Sequence, residues 1–140
     1  MPSKHSRRAI LQGTAAAVPA ALAGCSVLDS ESNTLSVSVG NADDREHLIA
    51  VSLLRRDRRE FVDARVKWWH HQLAPGEQAE HDNAVPARRY IVRVAVNGNS
   101  LDHYHYYPSG CADDVENLTV WVDRPSGDDA LAADFVQSWC

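Results

Sequence analysis

Lysine and methionine are almost absent from this chain of 140 residues. Its two lysines are Lys4 and Lys67, and its one methionine is Met1. Blue-copper centres commonly include a weak axial methionine, so this composition argues against that class of site. Positive charge is also scarce, with 14 basic against 19 acidic residues and a formal net charge of −5. A general nucleic-acid binder needs a basic face, and the composition therefore argues against that class.

The sequence also lacks the short motifs that mark catalytic centres. It contains no Gly-x-Ser-x-Gly, no His-Glu-x-x-His and no glycine-rich phosphate loop. Two acidic stretches, Asp113-Asp114 with Glu116 and Asp128-Asp129, could weakly hold a hard cation in loops, but they lack the glycine and ligand spacing of a calcium loop. We therefore expect a protein that is not an enzyme and that has no cofactor.

The first residues of the chain carry an export pattern. Arg7 and Arg8 precede residues 9–24, which include no charged side chain, and this run ends in Leu22-Ala23-Gly24-Cys25. The pattern resembles the signal peptide of a lipoprotein exported by the twin-arginine pathway. The apolar run is too short and too rich in alanine for a lasting membrane span, which needs about 20 strongly apolar residues.

The resemblance implies a division of the chain into three parts. Residues 1–24 would be removed, residues 25–33 would form a lipidated cysteine with a polar tether, and residues 34–140 would form the folded domain. The protein would then be exported and anchored by lipid on Cys25 to the outer face of the cell membrane. A plain secretory signal with a chance cysteine, or a short anchor that is never cut, are the alternatives.

Lipidation of Cys25 would leave Cys111 and Cys140 as an even pair. In an oxidising extracellular setting such a pair usually forms a disulfide. The bridge would close a loop of roughly 30 residues and stabilise the fold by about 3–4 kcal/mol in the chain-entropy model. Two free thiols, or two metal ligands, are the alternatives.

Short alternating segments separated by turn residues fill the rest of the sequence. Pro75-Gly76 fits a type II turn and Asn97-Gly98 a tight hairpin turn, and no segment has a convincing helical period. The pattern predicts an all-β, antiparallel sandwich of seven to eight short strands. The third strand is long enough to suggest a bulge or a bend. The expected strands are residues 35–39, 48–54, 61–73, 78–85, 90–96, 101–107, 118–122 and 131–136.

Several of these motifs occur together in one known kind of domain. Asn41, the turn Leu73-Ala74-Pro75-Gly76-Glu77, the strand Tyr90-Ile91-Val92-Arg93-Val94 and Asn97-Gly98 resemble the small immunoglobulin-like modules of cell-surface and adhesion proteins. The acidic, lysine-poor composition and the arginine-rich signal are similar to the single-domain lipoproteins of halophilic archaea. The resemblance implies an immunoglobulin-like sandwich that serves binding or assembly at the membrane, with an unknown protein or glycan partner.

Histidines suggest a second function, a surface lipoprotein that binds metal or a small ligand. His103 and His105 are two residues apart, so on a strand both imidazoles face the same side. With His70 or His71 on a neighbouring strand, three imidazoles could hold copper or zinc.

The same alternation carries an ordinary alternative for these histidines. Tyr104 and Tyr106 would face the core, which would leave His103 and His105 as solvated surface residues.

An arginine-rich stretch, Arg55-Arg56-Asp57-Arg58-Arg59-Glu60, lies between the second and third expected strands. Its guanidinium groups could hold phosphate, sulfate or anionic lipid headgroups. The alternative is a solvated hairpin tip whose charge Asp57 and Glu60 partly cancel.

Four tryptophans are many for a chain of this size. Trp68 and Trp69 are consecutive, so a regular strand sends them to opposite faces and exposes one of them. Burial in the core is expected for most of the four, which are Trp68, Trp69, Trp121 and Trp139. An exposed tryptophan would suit a sugar or a protein partner.

One further modification site is present in the sequence. Asn117-Leu118-Thr119 is an N-glycosylation sequon. Such triplets also arise by chance, so the sequence leaves its occupancy open.

Overall fold

Strands occupy most of the chain that the computed structural model describes, which is residues 33–110, 115–126 and 129–138. These residues form eight strands and a single helical turn. The all-β fold class, an antiparallel sandwich of seven to eight short strands, is confirmed. The elements are β1 (Thr34–Asn41), β2 (His47–Arg55), α1 (Phe61–Ala64), β3 (Arg65–Leu73), β4 (Gln78–Pro86), β5 (Tyr90–Val96), β6 (Asn99–Tyr106), β7 (Glu116–Asp123) and β8 (Ala132–Gln137).

The strands form two four-stranded sheets with the orders β4-β1-β7-β8 and β3-β2-β5-β6. Every described strand pair is antiparallel except β1 with β7, which is parallel. The sheets stack so that β3 lies against β4, β1 against β2 and β6 against β8. Each sheet therefore buries its inner face on the other and turns its outer face to solvent.

The core consists of the inward-facing residues of both sheets. In β5, Val92, Val94 and Val96 are buried while the intervening residues are more exposed, as a period of two requires. Aliphatic side chains dominate, with Tyr90 and Tyr106 as the fully packed aromatic residues. Among the described residues, no buried side-chain nitrogen or oxygen lacks a hydrogen-bond partner.

Two predicted turns have the expected backbone. Gly76 has φ of 79°, and the Glu77 N–H donates to the Ala74 carbonyl at 3.0 Å. The Glu77 carboxylate also accepts from the Ala74 N–H at 2.8 Å, which fixes the turn from both sides. Asn97 and Gly98 both have positive φ, 51° and 83°, as a type I′ hairpin requires.

The third predicted strand begins differently from the expectation. Its first four residues, Phe61–Ala64, form a helical turn in which the Ala64 N–H donates to the Glu60 carbonyl at 2.9 Å. The expected irregularity is present as a register shift between Leu53 and Leu54, opposite the start of β3.

Several predicted sites lie outside the described residues. These are the twin-arginine pair Arg7 and Arg8, the lipidation site Cys25, and the disulfide pair Cys111 and Cys140. Their predictions therefore stay predictions. Within the described part of the chain, no helix has the length and apolar character needed to cross a membrane.

Candidate functional site

The histidines of β6 lie on the outer face of their sheet. His103 and His105 are exposed, with ring centroids 5.5 Å apart. Tyr106 between the sheets is fully buried, and Tyr104 stacks on Phe135 of the facing sheet at 5.1 Å. The prediction that the tyrosines face inward and the histidines outward is confirmed.

The predicted three-histidine metal site is not assembled. His70 and His71 lie on β3 and the histidines of β6 lie at the opposite edge, with β2 and β5 between them. Three strand spacings of about 4.8 Å separate the two edges by roughly 14 Å, far beyond the reach of one metal ion. Among the described residues, no group of three or more His, Cys, Asp or Glu is placed to hold a metal.

His71 instead meets a different histidine across the sandwich. It faces inward from β3, and its Nε2 lies 2.9 Å from Nε2 of His81 on β4. Trp69 stacks on the His81 ring at 4.4 Å. Burial lowers the pKa of His81, and the positive charges of His71 and Lys67 lower it further. This pair therefore connects β3 and β4, which are edge strands of the two sheets.

Aromatic and cationic side chains cluster on the outer face of the β3-β2-β5-β6 sheet. The Arg65 guanidinium lies 5.4 Å from the ring centroid of Trp68 and 5.8 Å from that of Phe61. The Arg93 guanidinium also lies over the Phe61 ring, 5.4 Å from its centroid. We call Phe61, Arg65, Trp68 and Arg93 the aromatic–arginine cluster.

Strand register explains how residues far apart in sequence meet in this cluster. Ser52 of β2 pairs with Trp68 on one side and with Arg93 on the other, and Arg93 pairs with His103. Because the Ser52 side chain is small, it projects less from the sheet than its neighbours Trp68 and Arg93. The helical turn α1 then brings Phe61 to the same face as Arg93.

The described tryptophans are less buried than predicted. Trp68 is 50% exposed, while Trp69 and Trp121 are intermediate. The prediction that one of the two consecutive tryptophans faces solvent is confirmed. The expectation of core burial is wrong for Trp68 and Trp121, which are not part of the core, whereas the partly buried Trp69 packs against it. Trp139 lies outside the described residues.

A buried polar network at one end of the sandwich has no recognisable motif in the sequence. His47 Nε2 lies 2.6 Å from an oxygen of Asp43, and His47 Nδ1 lies 3.1 Å from the Asn97 amide. The hydrogen bond from His47 holds the pKa of Asp43 well below its usual range, against the effect of burial, and Arg124 adds to the lowering. Asn41 donates to the carbonyls of Arg45 and Leu73 at 2.7 and 2.9 Å.

This network fixes loops and does not present reactive groups. Both ring nitrogens of His47 are engaged, and the residue is 5% exposed. An imidazole in this position has no free nitrogen with which to reach a substrate.

Glu116, considered with Asp113-Asp114 as a weak cation ligand, has a structural role. Its carboxylate accepts hydrogen bonds from the Tyr106 hydroxyl and from the N–H groups of Ser109 and Gly110. Burial raises the pKa of Glu116, but these hydrogen bonds outweigh it and the net shift is downward. Burial and the bond to Glu116 raise the pKa of Tyr106 well above its usual range. Asp113, Asp114 and Asp128 lie outside the described residues.

The sequon asparagine is accessible near the start of β7. Asn117 is exposed, and its side-chain amide donates to the Val115 carbonyl at 3.1 Å. Its glycosylation stays a prediction.

Comparisons with protein-family models, with curated proteins and with solved structures found no match. The described geometry and the sequence patterns are therefore what indicate the function of the chain. The aromatic–arginine cluster, which combines exposed rings with charge, is the strongest feature for that purpose.

Proposed function

We propose that this chain is a non-enzymatic binding or assembly module, held on the outer face of the cell membrane by lipid on Cys25. Its contact surface is the aromatic–arginine cluster on the outer face of the β3-β2-β5-β6 sheet. The half-exposed Trp68, held beside Arg65, is the observation that carries the proposal.

Tryptophan and arginine are the residue types most enriched at the energetic centres of protein interfaces. Here Arg65 contacts both rings and Arg93 contacts Phe61, so the side chains restrain one another before any partner arrives. Each such cation–π contact contributes about 0.5–1 kcal/mol at an exposed site. Restraint in the free state lowers the entropy cost of binding.

The same contacts favour a protein partner over a glycan. Arg65 lies over the ring of Trp68, and His70 lies 4.7 Å from it at an interplanar angle of 41°. A sugar that stacks needs a free aromatic face, whereas a protein side chain can pack against the ring edge and the guanidinium together. Two arginines on this face also favour an acidic partner surface.

Metal binding is the alternative function, but the structure does not bring a third histidine to His103 and His105. His103 and His105 remain neighbours on the outer face, but His70 and His71 cannot join them. A copper or zinc titration tests the remaining pair. Tight binding that is abolished by His103→Asn and retained by His70→Asn would favour the alternative over the proposal.

Membrane retention tests the anchor. Cys25→Ser removes the thiol that would carry lipid, so the protein should be released into the medium or stay uncleaved. The measurement is fractionation of cells followed by mass determination of the N-terminus. Correctly processed Cys25→Ser protein that is retained in the membrane as well as the original would contradict lipid anchoring.

Crosslinking on native membranes tests the contact surface. Trp68→Ala combined with Arg93→Ala should abolish the principal crosslinked protein, since it removes the exposed ring and one of the two charges. Val136→Ala is the matched control, because Val136 is 55% exposed on the outer face of the other sheet. Equal crosslinking yields from the double variant, the control and the original chain would contradict the assignment of this face.

A further inference from the structure

A second surface feature lies at one end of the sandwich. A pocket of about 410 Å³ opens where β2 ends, β3 begins, β4 ends and β5 begins. Four arginines from two distant parts of the sequence line it. The lining residues are Arg55, Arg56, Asp57, Val66, Pro86, Arg88, Arg89 and Tyr90.

The charge of this pocket opposes that of the chain. Its lining has four guanidinium groups against one carboxylate, a net of +3, whereas the whole chain has a formal net charge of −5. Asp57 is occupied by Arg55, with Nε–Oδ1 and Nη2–Oδ2 distances of 2.8 and 2.5 Å. Among the described residues, Arg56, Arg88 and Arg89 form no ion pair with a carboxylate.

Two of these arginines are held in place without being neutralised. Arg56 Nη1 donates to the Tyr107 hydroxyl at 3.0 Å, and the Arg89 guanidinium lies 5.5 Å from the centroid of the same ring. A tyrosine orients guanidinium groups but leaves their charge uncompensated. The pocket is therefore organised for an anion that the described side chains do not supply.

We propose that this arginine pocket binds a phosphate group. Guanidinium groups present planar forks of N–H donors that match phosphate oxygens with charge-assisted hydrogen bonds. Val66, Pro86 and Tyr90 provide an apolar wall, and the Tyr90 hydroxyl is already used by the Pro86 carbonyl at 2.8 Å. The wall suits the organic part of a phosphate ester, and the arginines suit its charged part.

Two sources can present this chemistry: an anionic lipid headgroup or a free phosphate compound. The pocket lies at the end of the domain where the tether enters, because Thr34 pairs with Pro86 and the Ala87 N–H donates to the Asn33 carbonyl at 2.6 Å. Asn33 lies eight positions after Cys25, so the two are at most about 28 Å apart. If Cys25 is lipidated, as proposed above, the pocket lies within reach of the membrane surface.

The test uses the full chain with Cys25→Ser, so that binding does not depend on an anchor. One arm measures binding to phosphatidylglycerol vesicles and to neutral phosphatidylcholine vesicles at about 0.1 M salt, where surface charges are still felt. The other arm titrates inorganic phosphate by calorimetry. Arg88→Gln/Arg89→Gln is the test variant and Arg58→Gln/Arg59→Gln is the control, since both pairs are exposed and remove the same charge but only the first pair lines the pocket.

We expect the test variant to lose at least about tenfold in affinity for one or both probes, while the control retains its affinity. Loss of vesicle binding alone assigns the site to a headgroup, and loss of phosphate binding alone assigns it to a soluble phosphate compound. Equal losses in both variants would reduce the effect to unspecific attraction and overturn the proposal, as would the absence of binding to either probe. Failure of the anchor would appear only in the fractionation of Cys25→Ser cells, so the two proposals fail separately.

Discussion

Replacing Gly40 with alanine should destabilise the fold, and the sign of the effect tests the parallel pairing of β1 with β7. Gly40 lies in register with Trp121 in that pair. A Cβ atom at Gly40 would lie 2.8 Å from Cη2 of the Trp121 ring and closer still to Cζ3 and Cε3. Carbon atoms pack at about 3.5–4.0 Å, so the ring must retreat by roughly 1.5 Å.

The size of the effect follows from two opposing contributions. Forcing an extra methyl group against a packed ring typically costs about 1–3 kcal/mol. In the absence of a clash, a glycine-to-alanine change stabilises by about 0.4–1 kcal/mol, because it restricts the unfolded chain. We expect Gly40→Ala to lower the free energy of unfolding by about 2 kcal/mol. The same change would raise it if Trp121 did not cover Gly40.

A double-mutant cycle isolates this contact. Urea denaturation followed by circular dichroism is measured for Gly40→Ala, Trp121→Val and the double variant. Trp121→Val alone loses part of a half-buried ring, but it makes room for the new methyl group. The double variant should therefore be no less stable than Trp121→Val, which gives a coupling of about 2 kcal/mol. Additive effects, or a stabilised Gly40→Ala, would refute this contact and the register behind it.

Two further predictions concern buried polar contacts. Asn41→Ala should lower the free energy of unfolding by about 3 kcal/mol, since it removes three hydrogen bonds of the Asn41 side chain at about 1 kcal/mol each. Asn99→Ala is an exposed control that should stay within about 0.5 kcal/mol in the same denaturation assay. Equal effects of the two changes would contradict the network. Burial and neighbouring positive charges lower the pKa of His81, so the unfolded chain takes up this proton more readily than the folded one. The free energy of unfolding should therefore fall as the pH falls below about 6.5. His81→Asn should weaken this pH dependence, whereas the exposed control His105→Asn should not. Identical pH profiles for the two variants would contradict the role of His81.

Local patterns predicted the strands and turns because both are encoded by neighbouring residues. The alternation of Tyr90 to Val96 specifies one buried face whichever strand lies beside it, and β5 has these bounds in the structure. Pro75-Gly76 and Asn97-Gly98 specify backbone angles that few other residues adopt, and both turns form as expected. The placement of Tyr104 inward and His105 outward follows from the same period of two.

Neighbour relations between strands could not be predicted in this way. The three-histidine hypothesis needed β3 next to β6, but β2 and β5 lie between them. Likewise, the contact between His71 and His81 depends on which edges of the two sheets face each other. Periodicity assigns a side chain to a face, but the order of strands within a sheet depends on the packing of the whole core.

The arginine pocket shows how this limit affects the interpretation of charge. In sequence, Arg55 to Glu60 holds four arginines and two acids, which suggests a partly cancelled, solvated tip. In the structure Asp57 is engaged with Arg55, and the antiparallel register of β2 with β5 sets Arg55 opposite Tyr90. That pairing places the turn just before β5, with its own two arginines, beside the tip. The excess of positive charge therefore results from the topology. Two arginine pairs about 30 residues apart in sequence form one anion site only because their strands are neighbours. Substitutions that remove either pair should weaken the binding of the same ligand.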